Sequence, residues 1–393
     1  MVVAEVVVMT DQLDDGCDVV VVGGGAAGLS GALMLARARR SVVVVDAGAP
    51  RNAPATGVHG LLAREGVSPA ELLARGREEV RGYGGRLVAG EVSAVAREGD
   101  GFAVALADGR SVRARRLLVT TGLVDRLPDV PGLRARWGRD VLHCPYCHGW
   151  EVRDRAIGVL ADGPMAVHQA LLFRQWSDDV TLFAHTAPAP TGEQAERLAA
   201  RGIAVVEGEV TSLVVERDRL VGLRLADGSA VAREALAVAP RVEARAGFLA
   251  ALGLPVAEHP SGLGEHVPAD PTGRTGVPGV WVAGNVTDPA AQVGAAAAAG
   301  ATAAARINAD LVEEDTLRAV AAYRNPFSAG GASRLCEQVM GHRRPGRCPG
   351  AAGGCVPRRP VARDPHRSVT APTGGRGCGR RAPPDRGEPP GGR

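Results

Sequence analysis

The sequence has little of what several classes of protein require. Its 393 residues include no lysine, and 46 arginines against 43 acidic residues give a formal net charge of only +3. So weak a charge argues against a nucleic-acid-binding protein. No stretch approaches the roughly 18 consecutive apolar residues of a membrane span. The apolar run at residues 6–9 lacks the basic flank and the length of a signal peptide, so we expect a cytoplasmic protein.

Aromatic residues are scarce as well, at 3% of the chain, which leaves few side chains for a large hydrophobic substrate. Of the seven cysteines, only Cys144 and Cys147 are closely spaced. In a reducing compartment such a pair indicates redox chemistry or metal binding rather than a structural disulfide. The other cysteines have no partner by spacing and are predicted to be inert: Cys17, Cys336, Cys348, Cys355 and Cys378.

The positive charge is concentrated near the C-terminus. Residues 346–393 contain 10 arginines and only 3 acidic residues, a net charge of +7, whereas the preceding residues carry −4. The segment also holds 11 glycines and 9 prolines, so little of it could be buried. We predict a disordered tail without a catalytic part, either a low-complexity or frame-shifted extension or an arm that seeks anions.

A glycine-rich turn follows an early run of valines. Residues 18–22 predict a strand, and Gly23, Gly25 and Gly28 then fit the G-x-G-x-x-G pattern before a helical stretch. A second predicted strand, residues 41–45, ends at Asp46, eighteen residues past Gly28, where an acid can hold a ribose hydroxyl. This order of strand, turn, helix, strand and acid predicts a dinucleotide site.

Later segments extend this pattern. A predicted strand at residues 115–119 leads into Thr121 and Gly122, and another, at residues 279–283, leads into Gly284 and Asn285. A long alanine-rich helix then starts near Gln292. In this order, over residues 17–327, the motifs resemble the FAD domain of the thioredoxin reductase-like flavoproteins.

The resemblance implies FAD as the cofactor. Asn285 stands where that family has aspartate, and its amide can still hydrogen-bond a ribityl hydroxyl. The helix start at Gln292 and Val293 would direct N–H groups toward the pyrimidine end of the flavin. The full set of implied cofactor-binding residues is Gly23, Gly25, Ala26, Ala27, Gly28, Asp46, Ala47, Arg51, Asn52, His59, Val92, Thr121, Gly122, Gly284, Asn285, Gln292 and Val293.

The cysteine pair lies in the segment His-Cys-Pro-Tyr-Cys-His-Gly-Trp-Glu, residues 143–151. Cys-x-x-Cys-His is formally an attachment site for c-type haem. Haem attachment of that kind requires an exported protein, and the sequence predicts no export signal. A zinc site needs a second pair, and Cys348 with Cys355 in the predicted tail is a poor candidate, so we predict no metal. A redox-active disulfide of Cys144 and Cys147 is the remaining interpretation.

The resemblance also implies roles for this segment. Cys147 would lie against the flavin and form a thiolate–flavin charge-transfer pair, whereas Cys144 would exchange with the substrate sulfur. A helix N-terminus would lower the thiol pKa. His148 replaces the acidic residue of the reductases and can take a proton from an incoming thiol, although a helix-capping or merely exposed histidine is the alternative. His143 is predicted to be structural.

A second strand, turn, helix, strand pattern follows, with strands at residues 156–160 and 180–183 around a helix at residues 165–176. Its turn, residues 161–166, has lost the first glycine of the nucleotide motif and carries Asp162, which repels phosphate. No arginine cluster for a 2′-phosphate follows the second strand. We infer that this unit kept its architecture and lost its nucleotide.

The predicted fold class is α/β, with two doubly wound, Rossmann-like domains, the second inserted in the first. The predicted boundaries are 12–125 and 242–328 for the FAD-binding domain, 126–241 for the inserted domain with the cysteines, 329–345 for an extension and 346–393 for the tail.

Intact FAD motifs, the cysteine segment and the lost nicotinamide site together resemble the gliotoxin- and holomycin-type dithiol oxidases. Our leading hypothesis is an FAD-dependent enzyme that oxidises a small dithiol, or a thioredoxin-like protein, with O2 as acceptor and hydrogen peroxide as product. The alternatives are an NAD(P)H-dependent disulfide reductase and a flavin redox sensor without turnover. Relatives imply a homodimer.

Overall fold

Two β-sheets with parallel central strands organise the chain, and the computed structural model describes residues 16–163 and 165–325. The predicted extension, the predicted tail and the four cysteines beyond residue 325 lie outside the described residues. The strands are β1 (Cys17–Val22), β2 (Val42–Asp46), β3 (Arg86–Ala89), β4 (Val92–Glu98), β5 (Gly101–Leu106), β6 (Ser111–Val119), β7 (Leu123–Arg126), β8 (Val141–Leu142), β9 (Ile157–Leu160), β10 (Val180–Phe183), β11 (Ala204–Val206), β12 (Val210–Glu216), β13 (Arg219–Leu225), β14 (Ala230–Ala232), β15 (Ala235–Val238), β16 (Arg241–Ala244), β17 (Ala257–Glu258), β18 (Glu265–His266) and β19 (Val280–Val282). The helices are α1 (Ala26–Arg37), α2 (Pro69–Gly82), α3 (Leu133–Arg136), α4 (Pro145–His148), α5 (Ala166–Phe173), α6 (Glu193–Ala200) and α7 (Val293–Arg324), with 3-10 turns at Trp150–Val152, Gly247–Leu252 and Gly284–Val286.

The first sheet has the strand order β3-β2-β1-β6-β5-β4, and β19 also pairs with β6. Strands β1, β2, β3, β6 and β19 are parallel, whereas β4, β5 and β6 form an antiparallel meander. β6 belongs to both arrangements because its first half pairs with β5 and its last residues, 117–119, pair with β19.

Runs of valine explain why β1 and β2 lie at the centre of this sheet. Each strand has four consecutive valines, and all eight are buried. A parallel strand covered on both faces needs such a continuous apolar run. Along β1, Val19 and Val21 pack on the side of α1 and α7, whereas Val20 and Val22 face the core that contains Phe102 of β5.

Helix α7 is held to the first sheet by close packing and by ion pairs. A Cβ atom on Gly300 would lie 1.9 Å from the carbonyl oxygen of Ala27 in α1, so the two helices touch through backbone. From β6, the guanidinium of Arg116 donates to Asp310 at 2.6 Å and to Glu314 at 2.5 Å, both on α7. The Arg116 side chain is only 12% exposed.

The second sheet is wholly parallel, with the order β11-β10-β9-β15-β8, and the antiparallel sheet β12-β13-β14 covers one side of it. Its strands lie in the chain between β6 and β19 of the first sheet. Strands β7 and β16 form an antiparallel ribbon where the chain leaves the first sheet and returns. The predicted fold class, with one Rossmann-like unit inserted in another, is confirmed.

One predicted helix is shorter than the sequence indicates. The pattern over residues 165–176 predicts a helix to Trp176, but α5 ends at Phe173. The N–H groups of Gln175 and Trp176 donate to the carbonyls three residues earlier, so the last turn tightens and leaves the α-helix.

Candidate active site

A cavity of about 1350 Å³ opens where the parallel strands of the first sheet end. Its wall includes the turn after β1, Asp46 at the end of β2, Gly122 after β6 and Gly284 after β19. Ligands of open α/β sheets bind at this carboxyl edge. The volume exceeds the roughly 300–1,000 Å³ of pockets for one drug-sized ligand, and so has room for a dinucleotide.

The three glycines of the first turn have different surroundings. Gly23 has φ +105°, a conformation that glycine adopts without strain, and a Cβ on Gly28 would lie 1.9 Å from the Gly23 carbonyl oxygen. Gly28 therefore packs against the backbone of the turn at Gly23 and does not line the cavity. A Cβ on Gly25, by contrast, would meet no protein atom within 4 Å, and Gly25 lines the cavity. This open backbone fits the close approach of a pyrophosphate.

The side chain of Asp46 is held by Gly24, a glycine that the G-x-G-x-x-G pattern does not single out. The N–H of Gly24 donates to Asp46 Oδ1 at 3.0 Å, and Arg77 of α2 donates to Oδ2 at 3.1 Å. A Cβ on Gly24 would lie 2.7 Å from the Asp46 carboxylate, so a larger residue would displace this acid. The only signal in the sequence is the run of three glycines.

Asn285 stands where the resemblance implies an aspartate, and the structure shows what its amide does. Its Nδ2 donates to the carbonyl oxygens of Asp288 and Ala291, at 3.1 and 2.9 Å. A carboxylate could not donate these bonds. The amide thus ties down the loop before α7, where Gln292 is the N-cap and Val293 the first helical residue. Both residues line the cavity with free helix N–H groups at hand.

The other predicted cofactor-binding residues are also in the cavity wall. The Thr121 hydroxyl donates to the Arg245 carbonyl at 2.7 Å, and Gly122 has φ +70°. Arg51 makes a two-pronged ion pair with Asp125 of β7, at 2.9 and 2.6 Å. The remaining members are Ala26, Ala27, Ala47, Asn52, His59 and Val92.

The cysteine pair lines the same cavity as the cofactor residues. Cys144 is the N-cap of α4, Pro145 is its first residue and Cys147 lies within it. A hydrogen bond from Cys147, together with backbone N–H groups and the nearby Arg51, lowers the pKa of the Cys144 thiol to about 7. The shared proton and burial raise the pKa of Cys147. In the dithiol, Cys144 is therefore the better nucleophile.

His148 also lines the cavity and is half-buried, and its Nε2 is shielded from solvent without a hydrogen-bond partner. Burial lowers its pKa, with Glu151 opposing and His59 adding to that shift. A neutral imidazole with a free nitrogen can accept a proton. Burial also lowers the pKa of His143, to about 4, and its carbonyl accepts from Gln169.

His59 has a setting that the sequence did not suggest. Its Nδ1 lies 2.6 Å from Glu65 Oε1 and its Nε2 lies 3.6 Å from Glu151 Oε1. Neither glutamate was predicted as a site residue. Glu65 follows His59 by six residues, and Glu151 follows Cys147 by one helical turn, but no motif announces either.

The second unit contributes helix α5 to the wall of this cavity. Met165, His168, Gln169 and Leu172 all line it. The Gln169 side chain is 5% exposed, and its Nε2 donates to the His143 carbonyl at 2.7 Å. This bond joins α5 to the residue before Cys144.

The turn from β9 to α5 has Ala161 where a nucleotide motif has its first glycine, and the next residue, Asp162, is exposed. After β10, where the predicted resemblance implies arginines in an NADPH-binding protein, His185 Nδ1 instead accepts the N–H of Val210 at 3.0 Å. Both positions lack the groups that recognise a dinucleotide phosphate.

The fold and the cavity define a protein of two Rossmann-like units with a cysteine pair beside a dinucleotide-sized cleft, and comparison with known proteins gives its family. A family model described as pyridine nucleotide-disulphide oxidoreductase matches residues 17–305. The chain therefore belongs to the pyridine nucleotide-disulphide oxidoreductase family.

Individual relatives agree with this placement. Thioredoxin reductase tcpT of Claviceps purpurea is 33% identical over 279 residues, which is 68% of this chain and 86% of that protein. Thioredoxin reductase sirT of Leptosphaeria maculans is 30% identical, over 74% of this chain and 93% of its own. The crystal structure of HlmI matches with a TM-score of 0.75 and 51% identity, over 80% of this chain and 98% of that one.

The predicted resemblance to the thioredoxin reductase-like branch is thus confirmed. Proteins of this branch are FAD-binding flavoproteins, and the chain is an FAD-dependent oxidoreductase that acts on sulfur groups. Within residues 16–163 and 165–325, no helix is long and apolar enough to cross a membrane. In the same residues, no group of three or more His, Cys, Asp or Glu side chains is placed to hold a metal ion.

Proposed function

We propose that the chain oxidises a small dithiol to a disulfide at Cys144 and Cys147, with O2 as electron acceptor and hydrogen peroxide as product. One observation carries the proposal. The cysteine pair lines the cavity that fits FAD, whereas the second nucleotide turn has Ala161 in place of the first glycine and carries Asp162 beside it. Electrons can then enter from a thiol more readily than from a nicotinamide. A thioredoxin-like protein is the other candidate substrate, and we also infer a cytoplasmic homodimer.

The proposed sulfur chemistry begins with the oxidised pair. A substrate thiolate attacks Cys144 Sγ, the Cys144–Cys147 bond breaks, and Cys147 leaves as a thiolate. The second substrate thiol loses its proton to His148 and attacks the substrate sulfur of the mixed disulfide, which expels Cys144. The substrate leaves as a disulfide, and its electron pair now resides on the two enzyme cysteines.

We assign FAD to the cradle formed by Gly25, Asp46, Gly122, Asn285 and Val293. When bound, FAD would accept the electron pair of the reduced cysteines and pass it to O2. The overall balance is one dithiol and one O2 converted to one disulfide and one hydrogen peroxide. The remaining predicted cofactor residues keep that proposed role, except that Gly28 supports the turn rather than facing the cavity.

An NAD(P)H-dependent disulfide reductase is the second candidate. The family description and the names of the relatives favour it. Against it stand Asp162 and the absence of arginine after β10, because both disfavour a bound phosphate.

Oxygen uptake tests the proposal. With dithiothreitol as the probe, we expect the FAD-loaded enzyme to consume oxygen and release an equal amount of peroxide. Cys144→Ser and Cys147→Ser should each lose this activity by at least about a hundredfold while retaining FAD. Cys17→Ser is the matched control, because Cys17 lies in β1 outside the cavity and burial raises its pKa to about 12. Peroxide release that survives in Cys144→Ser would contradict the proposed site.

A further inference from the structure

Gln169 is a buried polar residue of α5 that is hydrogen-bonded to the cysteine segment. It is 5% exposed and belongs to the part of the helix that buries Ala170 and Phe173. Its Nε2 donates to the carbonyl oxygen of His143 at 2.7 Å. A carbonyl oxygen only accepts hydrogen bonds, so the NH2 group of the amide must face it. The bond ties the residue before Cys144 to a helix that packs on the second sheet.

The other polar atom of the Gln169 amide is left without a partner. Its Oε1 is buried and accepts no hydrogen bond from the described residues. Burying an unpaired acceptor lowers stability, and an apolar side chain of the same length would avoid that loss. Stability alone therefore does not explain a glutamine at this position. The side-chain bond that it makes leads to the cysteine segment instead.

Cys144 is held through the backbone on both sides. On its N-terminal side, the Gln169 bond fixes the peptide group that joins His143 to Cys144. On its C-terminal side, the Cys144 carbonyl accepts the N–H of Cys147 at 3.2 Å and the N–H of His148 at 3.1 Å. Peptide groups are planar, so fixing both of them fixes the direction of the Cα–Cβ bond between them. The thiol of Cys144 then moves only by rotation about that bond.

The turn after α5 holds the rest of the cysteine segment independently of Gln169. Trp176 in this turn meets the ring of Tyr146 edge to face, with the ring centroids 5.7 Å apart. A Cβ on Gly149 would lie 2.8 Å from the Trp176 ring, so the residue after α4 packs directly on this tryptophan. Because these contacts do not involve Gln169, a change at Gln169 should disturb Cys144 locally and leave α4 in place.

We propose that Gln169 is a positioning residue, whose amide holds the His143 carbonyl, and through it the Cys144 side chain, in the orientation that exchange with a substrate thiol requires. The inference deepens the proposed function and rests on it for the role of Cys144. In the exchange, the incoming sulfur bonds to Cys144 Sγ while Cys147 Sγ leaves, so the three sulfurs must be aligned. Misplacing a reacting group by about 1 Å can slow a reaction by about 100-fold.

Gln169→Met tests the inference, because methionine is unbranched, of similar length and without an N–H donor. The oxidised enzyme is mixed with 2-mercaptoethanol without oxygen and quenched with iodoacetamide, and peptide mass measures the mixed disulfide on Cys144 and the capped thiol of Cys147. We expect its rate of formation to fall at least about tenfold. The FAD content should be unchanged, and Tm should stay within about 2 °C of wild type.

The pH profile of Cys144 gives a second measurement that a merely structural role would not change. In the reduced Gln169→Met enzyme, the midpoint for alkylation of Cys144 should lie above that of the wild type, because a displaced thiolate meets its backbone N–H donors less well. Gln175→Met is the matched control, since Gln175 follows α5, is exposed and does not line the cavity. It should keep the wild-type rate and the wild-type midpoint.

Gln169→Asn provides a second variant, because its amide is one methylene shorter and no longer reaches the His143 carbonyl. It should form the mixed disulfide as slowly as Gln169→Met. A wild-type rate in either variant would overturn the inference. Loss of FAD or a large drop in Tm in both variants would also overturn it, since Gln169 would then be needed for the fold.

Formation of the mixed disulfide requires neither O2 nor turnover, so this inference and the proposed function fail in different ways. A wild-type enzyme that forms the mixed disulfide but consumes no oxygen with dithiothreitol would refute the proposed function, and the effect of Gln169 could still be measured. Oxygen uptake by the wild type together with a wild-type exchange rate in Gln169→Met would refute the positioning role alone.

Discussion

At the scale of single residues, the two cysteines differ in their position on α4 and in their hydrogen bonds. Cys144 stands at the N-terminus of α4 with N–H groups directed at it, whereas Cys147 lies within the turn and gives its hydrogen bond to Cys144. A thiolate at the N-cap is stabilised by those donors and by the charge of Arg51. This asymmetry supports Cys144 as the residue that exchanges with substrate.

The asymmetry predicts the pH dependence of alkylation. In the reduced enzyme, the rate of reaction of Cys144 with iodoacetamide should rise with pH through a midpoint of about 7, because the lowered pKa leaves the thiol ionised above that pH. The modified residue is identified by peptide mass. Arg51→Met should raise the midpoint, since a positive charge is lost. A wild-type midpoint near 9, the ordinary value for a thiol, would contradict the assignment.

The glycines of the first turn give a matched pair of substitutions. Gly25→Ala should fold normally but lose most of its FAD, because the new Cβ meets no protein atom and points into open space at the cavity. Gly28→Ala should lower the free energy of unfolding by about 1–3 kcal/mol or prevent folding, because its Cβ would overlap the Gly23 carbonyl. Thermal denaturation and flavin absorbance distinguish the two outcomes. Equal losses of FAD and of stability in both variants would show that the two glycines do not differ in this way.

Sequence spacing could identify the cysteines, Asp46 and most of the cavity wall, because each lies next to a recognisable strand end or turn. It could not identify the environment of His59. The sequence predicts a cofactor contact there, and the structure places its ring between Glu65 and Glu151, the second of which is 92 positions away. Contacts of this range depend on how the second unit is placed against the first, which no local pattern encodes.

At the scale of elements, α7 connects the cavity to the sheet. Its first turn lines the cavity, and its later turns are tied to β6 by Arg116 through Asp310 and Glu314. The valine runs of β1 and β2 predict buried parallel strands correctly. The end of α5 is predicted wrongly, because the tightening of its last turn depends on local hydrogen bonds rather than on hydrophobic periodicity.

The ion pairs of α7 predict a measurable loss of stability. Arg116→Met should lower the free energy of unfolding by about 1–3 kcal/mol, because two partly buried carboxylates lose a charged donor. Denaturant unfolding of the enzyme measures this loss. Arg126→Met is the control, since Arg126 pairs with Glu243 at an exposed site and should leave the midpoint nearly unchanged. Similar losses in both variants would contradict a special role for the α7 pairs.

At the scale of the whole molecule, the charge is divided between two unlike parts. The net charge of +7 in residues 346–393 reverses the mildly acidic balance of the preceding chain, which contains the complete proposed site. An enzyme ending at residue 345 should therefore keep its FAD content and its rate of dithiol oxidation. Flavin absorbance measures the FAD content, and oxygen uptake measures the rate of oxidation. Loss of either would show that the C-terminal segment contributes to FAD binding or to catalysis.

The direction of electron flow also belongs to the whole molecule, because it depends on which unit supplies electrons to the cavity. The most direct measurement is the bleaching of flavin absorbance without oxygen, after separate additions of dithiothreitol and of NADH or NADPH. We predict rapid bleaching by the dithiol, none in Cys144→Ser, and little by either nicotinamide nucleotide. Rapid bleaching by NADH or NADPH would contradict the dithiol oxidase and establish a reductase.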